Sequence, residues 1–137
     1  MDYEEYEELA DNQRDENYKL LEEFESYLAD AGLTAITIKK HMSNLDFFVN
    51  DYLLYEEIIT PEDGISSVNF FFNSWFPRKA MWSSPKSVNA NCTVLKKFYS
   101  YLLSKKIIIT EECSDLNKCI KLNKSEWLTH YNSVNYE

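Results

Sequence analysis

The sequence predicts an all-α fold, a compact bundle of four to five helices in which two helical hairpins pack across each other. Three observations carry that prediction. Apolar residues recur at three- and four-residue steps over most of the chain, the period of one face of an α-helix. Turn residues are scarce, with 2 Gly and 3 Pro in 137 residues, whereas sandwiches and barrels need them at regular intervals. Several periodic segments also begin at a Ser or Thr placed to cap a helix. The length suits a single domain, and a hydrophobic content of 45% supplies a core without disulfides or metals.

Residues 1–12 hold Tyr and Leu but no sustained period, and read as an acidic arm, frayed or loosely docked. The helical domain is expected over residues 13–137. Its first helix carries Leu21, Phe24, Leu28 and Ala31 and stops at Gly32. Thr34 caps a second helix with Ile38, Met42, Leu45, Val49 and Tyr52 inward, running to about Tyr55. Thr60-Pro61-Glu62-Asp63 combines a cap, a Pro at the first helical position and acids in the first turn. It reads as one short turn ended by Gly64. A third helix starts near Ser66 or Ser67 and carries Val68, Phe71, Phe72 and Trp75, with Pro77 positioned to end or kink it.

Ser84-Pro85 is the clearest helix start in the chain, and Val88, Cys92, Leu95, Phe98, Tyr99 and Leu102 follow it on one stripe. Thr110-Glu111-Glu112 begins a fifth helix, with acids where the helix dipole favours them. Leu116, Cys119, Ile120, Trp127 and Tyr131 continue it, with a break expected near Asn123. A shift of fifty residues sets Thr34 on Ser84, Ile38 on Val88, Leu45 on Leu95 and Phe48 on Phe98. The same shift sets Ile58-Ile59-Thr60 on Ile108-Ile109-Thr110. A capped helix, an Ile-Ile link and a following helix therefore occur twice, too few copies for a solenoid.

The net charge of -9 is unevenly spread: residues 1–30 carry -10, residues 31–77 carry -4, residues 78–124 carry +7 and the remainder -2. The acidic segment reads either as a solvated leader that aids solubility or as one that screens the basic region. Cys92, Cys113 and Cys119 are odd in number and lack the paired spacing of a zinc site. Cys92 and Cys119 lie on apolar stripes and are expected as buried, reduced thiols. Neither metal nor cofactor is expected. No glycine-rich phosphate loop and no nucleophile beside a base occur, so the chain reads as a non-enzyme, with its two histidines structural or superficial. The longest apolar runs are about four residues, far short of the ~20 that cross a bilayer. The acidic start is unlike a secretory signal. A cytoplasmic protein without a membrane partner is expected.

Two stretches, Phe24 to Leu53 and Ser83 to Ile108, carry a family likeness. The quoted positions are Phe24, Tyr27, Leu28, Gly32, Leu33, Thr34, Thr37, Ile38, Leu45 and Phe48, then Leu95, Phe98, Tyr99, Tyr101 and Leu102. In this pattern the chain resembles the N-terminal SAM-like (core-binding) domain of tyrosine recombinases and phage integrases, over roughly residues 20–125. The resemblance rests on core and capping positions, so it implies fold more firmly than activity. It implies a helical domain that closes over one face of DNA while a separate domain supplies Arg, Lys, His-x-x-Arg and a Tyr nucleophile. Here the only arginines are Arg14 and Arg78, no His-x-x-Arg occurs, and Tyr136 reads as a tail residue. The chain alone is expected neither to cut nor to join DNA.

A helical projection at 100° per residue centred on Ile38 turns Lys40, Ser43, Asn44, Phe47 and Asn50 outward, with Lys39 at the edge. On the fourth helix the outward set is Lys86, Asn89, Thr93, Lys97 and Tyr101. Lysines neutralise phosphates, while Ser, Thr and Asn bond to phosphates or base edges. Arg78, Lys79 and Lys86 bracket Trp82, which is expected to be buried beneath the interhelical turn; the pattern also occurs where bases stack on rings. The candidate DNA-binding residues are therefore Lys39, Lys40, Ser43, Asn44, Phe47, Arg78, Lys79, Lys86, Asn89, Thr93 and Lys97. Double-stranded DNA is the expected partner, with a separately encoded recombinase or self-association beside it. The alternative is a protein-interaction module that kept the fold and lost DNA, with Phe47 at the interface or covered by another helix.

Overall fold

A computed structural model describes residues 1–131, and among these every regular element is helical. They divide into two compact units, one from Met1 to Gly64 and one from Ile65 onward. Tyr136 lies outside the described residues.

The first unit begins with α1 (Tyr3–Asp30). The segment expected as a loose arm is the opening of this helix. Asp2 caps it by accepting the Glu5 N–H at 2.8 Å, and Glu4 and Glu5 sit against the positive end of its dipole. Tyr6 donates its hydroxyl to the Leu54 carbonyl, and Ala10 begins a buried stripe that continues through Asn17, Leu21, Phe24 and Leu28. Tertiary anchoring at Tyr6 and Ala10 thus supplies what the short-range pattern lacks, and the acidic segment is the docked opening of a helix, its acids exposed, rather than a loose arm.

Gly32 stops α1 at φ +90. Its N–H donates to Ala29 O at 3.0 Å and that of Leu33 to Leu28 O at 3.2 Å, the paired closure for which glycine is favoured. α2 (Ala35–Asp46) follows its Thr34 cap and passes into a wider π-helical turn over Phe47–Tyr52. A π-helical backbone rotates less per residue than an α-helix. Asn50, expected outward, therefore comes round to the core side and is 2% exposed. There its amide donates to Asp46 Oδ1 at 2.6 Å and its Oδ1 accepts from Asn17 Nδ2 at 2.9 Å. Gln13 completes the chain of bonds by donating to Asn17 Oδ1 at 2.9 Å. The segment after Thr60 forms one 3-10 turn, Pro61–Asp63, ended by Gly64 as expected, but the Thr60 hydroxyl does not cap it and instead donates to Asp63 Oδ2 at 3.2 Å.

The second unit opens with a continuous helical run: a 3-10 turn at Ile65–Ser67, α3 (Val68–Phe70), a π turn at Phe71–Trp75 and α4 (Phe76–Lys79). Pro77 neither ends nor interrupts this run. It cannot donate to the carbonyl four residues back, and its ring would crowd that carbonyl in a regular helix; the widened turn just before it makes the room. α5 (Pro85–Ser104) starts on Ser84, which exchanges bonds with Ser87, N–H to Oγ at 2.8 Å and 3.1 Å. α6 (Thr110–Leu128) runs through Asn123 without the expected break. Asn123 instead donates to Cys119 O at 2.9 Å. α6 packs against α5 and α3, and Trp127, fully buried, stacks on Phe72 with centroids 4.6 Å apart. The fifty-residue echo holds at the starts of α2 and α5. It fails afterwards, because α5 stays α-helical where α2 widens, and Thr110 opens a long helix where Thr60 precedes a single turn.

α5 closes as α1 does, but with Lys106 in the left-handed position at φ 61. Its N–H donates to Leu103 O and that of Ile107 to Leu102 O, both at 2.9 Å. A side chain there costs roughly 1–2 kcal/mol, and glycine gives back part of that as greater unfolded-chain freedom. Lys106→Gly is expected to stabilise by about 1 kcal/mol, raising a urea midpoint by about 0.5 M. An unchanged or lower midpoint would refute this account of the turn.

Candidate nucleic-acid interface

Charge segregates by unit. The first holds eighteen carboxylates and four bases, a net of -14; the second holds ten bases and five carboxylates, a net of +5. No Asp or Glu occurs anywhere between Asp63 and Glu111, a span that holds seven bases. In a chain with 23 acids the surface that residues 64–110 themselves contribute is thus free of the groups that repel phosphate.

α5 displays that surface. Lys86, Asn89, Thr93, Lys96, Lys97, Ser100 and Ser104 are exposed, and their spacing puts them on one side over about 27 Å at 1.5 Å per residue. The opposite side is buried through Val88, Cys92, Leu95, Phe98, Tyr99 and Leu102. α1 and α6 both carry acids in their first turn, whereas α5 carries none and has Lys86 there. The positive end of its dipole is thus reinforced rather than offset.

Hydrogen bonds divide the labour among the expected contacts. Thr93 donates its hydroxyl to Asn89 O at 3.0 Å, and Asn89 donates from its amide to Pro85 O at 3.0 Å. Thr93 has no other donor and Asn89 has one left, so Lys86, Lys96 and Lys97 are the principal donors on the face. Arg78 and Lys79 occupy the last turn of α4, where cations offset the negative end of a helix, and Arg78 Nε donates to Ser74 O at 3.0 Å. Tyr101, expected outward, is 3% exposed. α5 is buried across roughly half its circumference, Val94 and Tyr101 included, and Lys105 Nζ lies 5.6 Å from the Tyr101 ring centroid.

Lys39, Lys40 and Ser43 are exposed on α2, and Asn44 and Phe47 are half-buried. These five belong to the acidic unit; Arg78, Lys79, Lys86, Asn89, Thr93 and Lys97 belong to the basic one. The expected residues are therefore two sets on separate units. In the acidic unit Arg14 and Lys19 pair with Asp11 and Glu16 at 2.9 Å and 3.5 Å. A cleft of about 540 Å³ there, lined by Asp2, Tyr3, Tyr6, Glu56 and Glu57 among others, has the wrong charge for a phosphate. Lys96 and Ser100 escaped the helical projection, and the acid-free run from Gly64 to Thr110 was the signal that could have found them.

Trp82 reverses its expected placement. It is 58% exposed, and its neighbour Met81 is fully exposed. Both sit on a tight turn in which Ser83 N–H donates to Ala80 O at 3.0 Å. Trp75 and Trp127 are buried as expected.

Cys92 is buried and half-buried Cys119 less so, and all three cysteines are free. Burial pushes the Cys92 thiol up to about 11 and raises those of Cys113 and Cys119, so little thiolate forms at neutral pH. His130 shares a hydrogen bond with Asn73 at 3.2 Å, and His41 is buried on α2. Among the described residues no three His, Cys, Asp or Glu side chains gather to hold a metal, and no helix is long and apolar enough to cross a membrane. Compared with family models, with curated proteins and with solved structures, the chain finds no match.

Proposed function

We propose that this chain is a non-catalytic DNA-binding accessory protein that holds the phosphate backbone against α5. The supporting observation is the acid-free outer face of α5, with Lys86, Lys96 and Lys97 exposed on a chain that is acidic as a whole. Phosphate contacts of this kind position a protein on nucleic acid without reading its sequence. The reading accords with the resemblance to the core-binding domain of tyrosine recombinases, and an accessory role beside a separately encoded recombinase follows from it.

The test is fluorescence anisotropy of a labelled short duplex titrated with the full chain as salt is varied. With about three to five phosphates neutralised, log K should fall with log salt at a slope of roughly -3 to -4.5. A flat or absent signal both on this duplex and on its unpaired strand overturns the proposal. It would favour the second reading, a protein-interaction module, which draws on the net charge of -14 over Met1 to Gly64 and would take a basic partner.

A further inference from the structure

We infer that the Met81–Trp82 turn is a base-stacking tip, and that the nucleic acid this protein prefers is single-stranded. The inference rests on the DNA-binding reading of α5 and adds the class of ligand to it.

Single exposed apolar residues need no explanation. Here two large ones are adjacent, at the point of a turn held firmly at both ends. Ala80, 2% exposed, anchors one end and donates its N–H to Phe76 O at 3.0 Å. The Ser84–Ser87 exchange anchors the other. An aromatic presented on a rigid support loses little freedom when it is stacked upon.

The surroundings select the occupant. Arg78 and Lys79 precede the tip, Lys86 follows it, and no carboxylate occurs from Gly64 to Thr110. Single-stranded nucleic acid has both features that such a surface complements: a line of negative charge, and flat π faces that duplex DNA keeps stacked inside. The lysine-bearing face continues from the tip along α5 for about 27 Å, the form of a track for a linear polyanion. A membrane would instead call for a wider apolar surface beside the tip.

The full chain reports on this directly, because Trp82 is the exposed tryptophan while Trp75 and Trp127 are 5% and 0% exposed. Tryptophan emission is followed during titration with an oligothymidylate of about 16 nucleotides, and anisotropy is measured for the same strand and for its duplex. Wild type should lose emission on the single strand, and Trp82→Ala should abolish that quenching. Trp82→Ala should also weaken single-strand binding by about tenfold, leave duplex affinity within about twofold, and keep the salt slope of both. Met81→Ser should weaken the single strand in the same direction.

Salt-sensitive duplex binding by wild type, with Trp82→Ala unchanged on both ligands and no quenching, would overturn the tip and leave the α5 reading standing. No salt-sensitive binding to either ligand would overturn both. A blue-shifted emission on phosphatidylserine vesicles, with none of the response to oligothymidylate, would overturn it in favour of a membrane surface.

Discussion

Replacing Lys86, Lys96 and Lys97 together by glutamine is expected to reduce DNA affinity by about 10²–10³-fold near 0.1 M salt, the loss shrinking toward 1 M. The magnitude follows from counterion release, since each phosphate neutralised contributes about 0.9 to the slope of log K against log salt. Three lost contacts flatten that slope by about 2.7. All three lysines are exposed, and the buried side of α5 is untouched, so thermal unfolding should stay within the small range usual for surface changes. The matched control is Lys39→Gln with Lys40→Gln on α2. Those two lysines lie in the unit with a net charge of -14, where the surrounding field repels a polyanion. Their loss should change affinity by much less than two α5 lysines do. A loss from this pair equal to that from Lys96→Gln with Lys97→Gln would show that the binding face is misassigned.

Trp127→Ala is expected to cost about 3–5 kcal/mol, the range for deleting a fully buried tryptophan. Its ring stacks on Phe72, 28° from parallel, and its indole N–H donates to Asn69 Oδ1 at 2.8 Å. One side chain thus joins α6 to the run from Ile65 to Lys79 through both an apolar and a polar contact. Trp127→Phe keeps a ring on Phe72 but loses the indole donor, and should cost about 1–2 kcal/mol. With an m-value of about 2 kcal/mol/M, the alanine variant should lower the urea midpoint by about 2 M and the phenylalanine variant by under 1 M. A shift below 0.5 M for alanine, on this scale, would mean that the Trp127 contacts do not hold the second unit together.

The helix starts at Ala35 and Pro85, the stop at Gly32, the short turn after Thr60 and the burial of Trp75 and Trp127 were legible in the sequence. Each depends on residues within a few positions of one another, or on a plain 3.6-residue period. The basic region was legible too, because charge needs no fold to be counted. The projection that drew the candidate face failed where one of its assumptions failed. Constant rotation per residue broke down at Phe47–Tyr52, and Asn50 turned inward to bond with Asn17 and Asp46. The assumption that a helix buries a single stripe broke down at Tyr101.

By itself the sequence determined that this protein is helical, where most of its helices begin, and that its acids and bases fall in different parts of the chain. These are local or additive properties, set by caps, period and composition. Only the tertiary structure decided that the acidic N-terminus is an integral helix, that two turns widen to the π form, and that Trp82 is more exposed than buried. Such outcomes depend on which distant residues cover a given side chain. Tyr6 reaches Leu54, Asn17 reaches Asn50 and Trp127 reaches Asn69, across separations that no short-range pattern records.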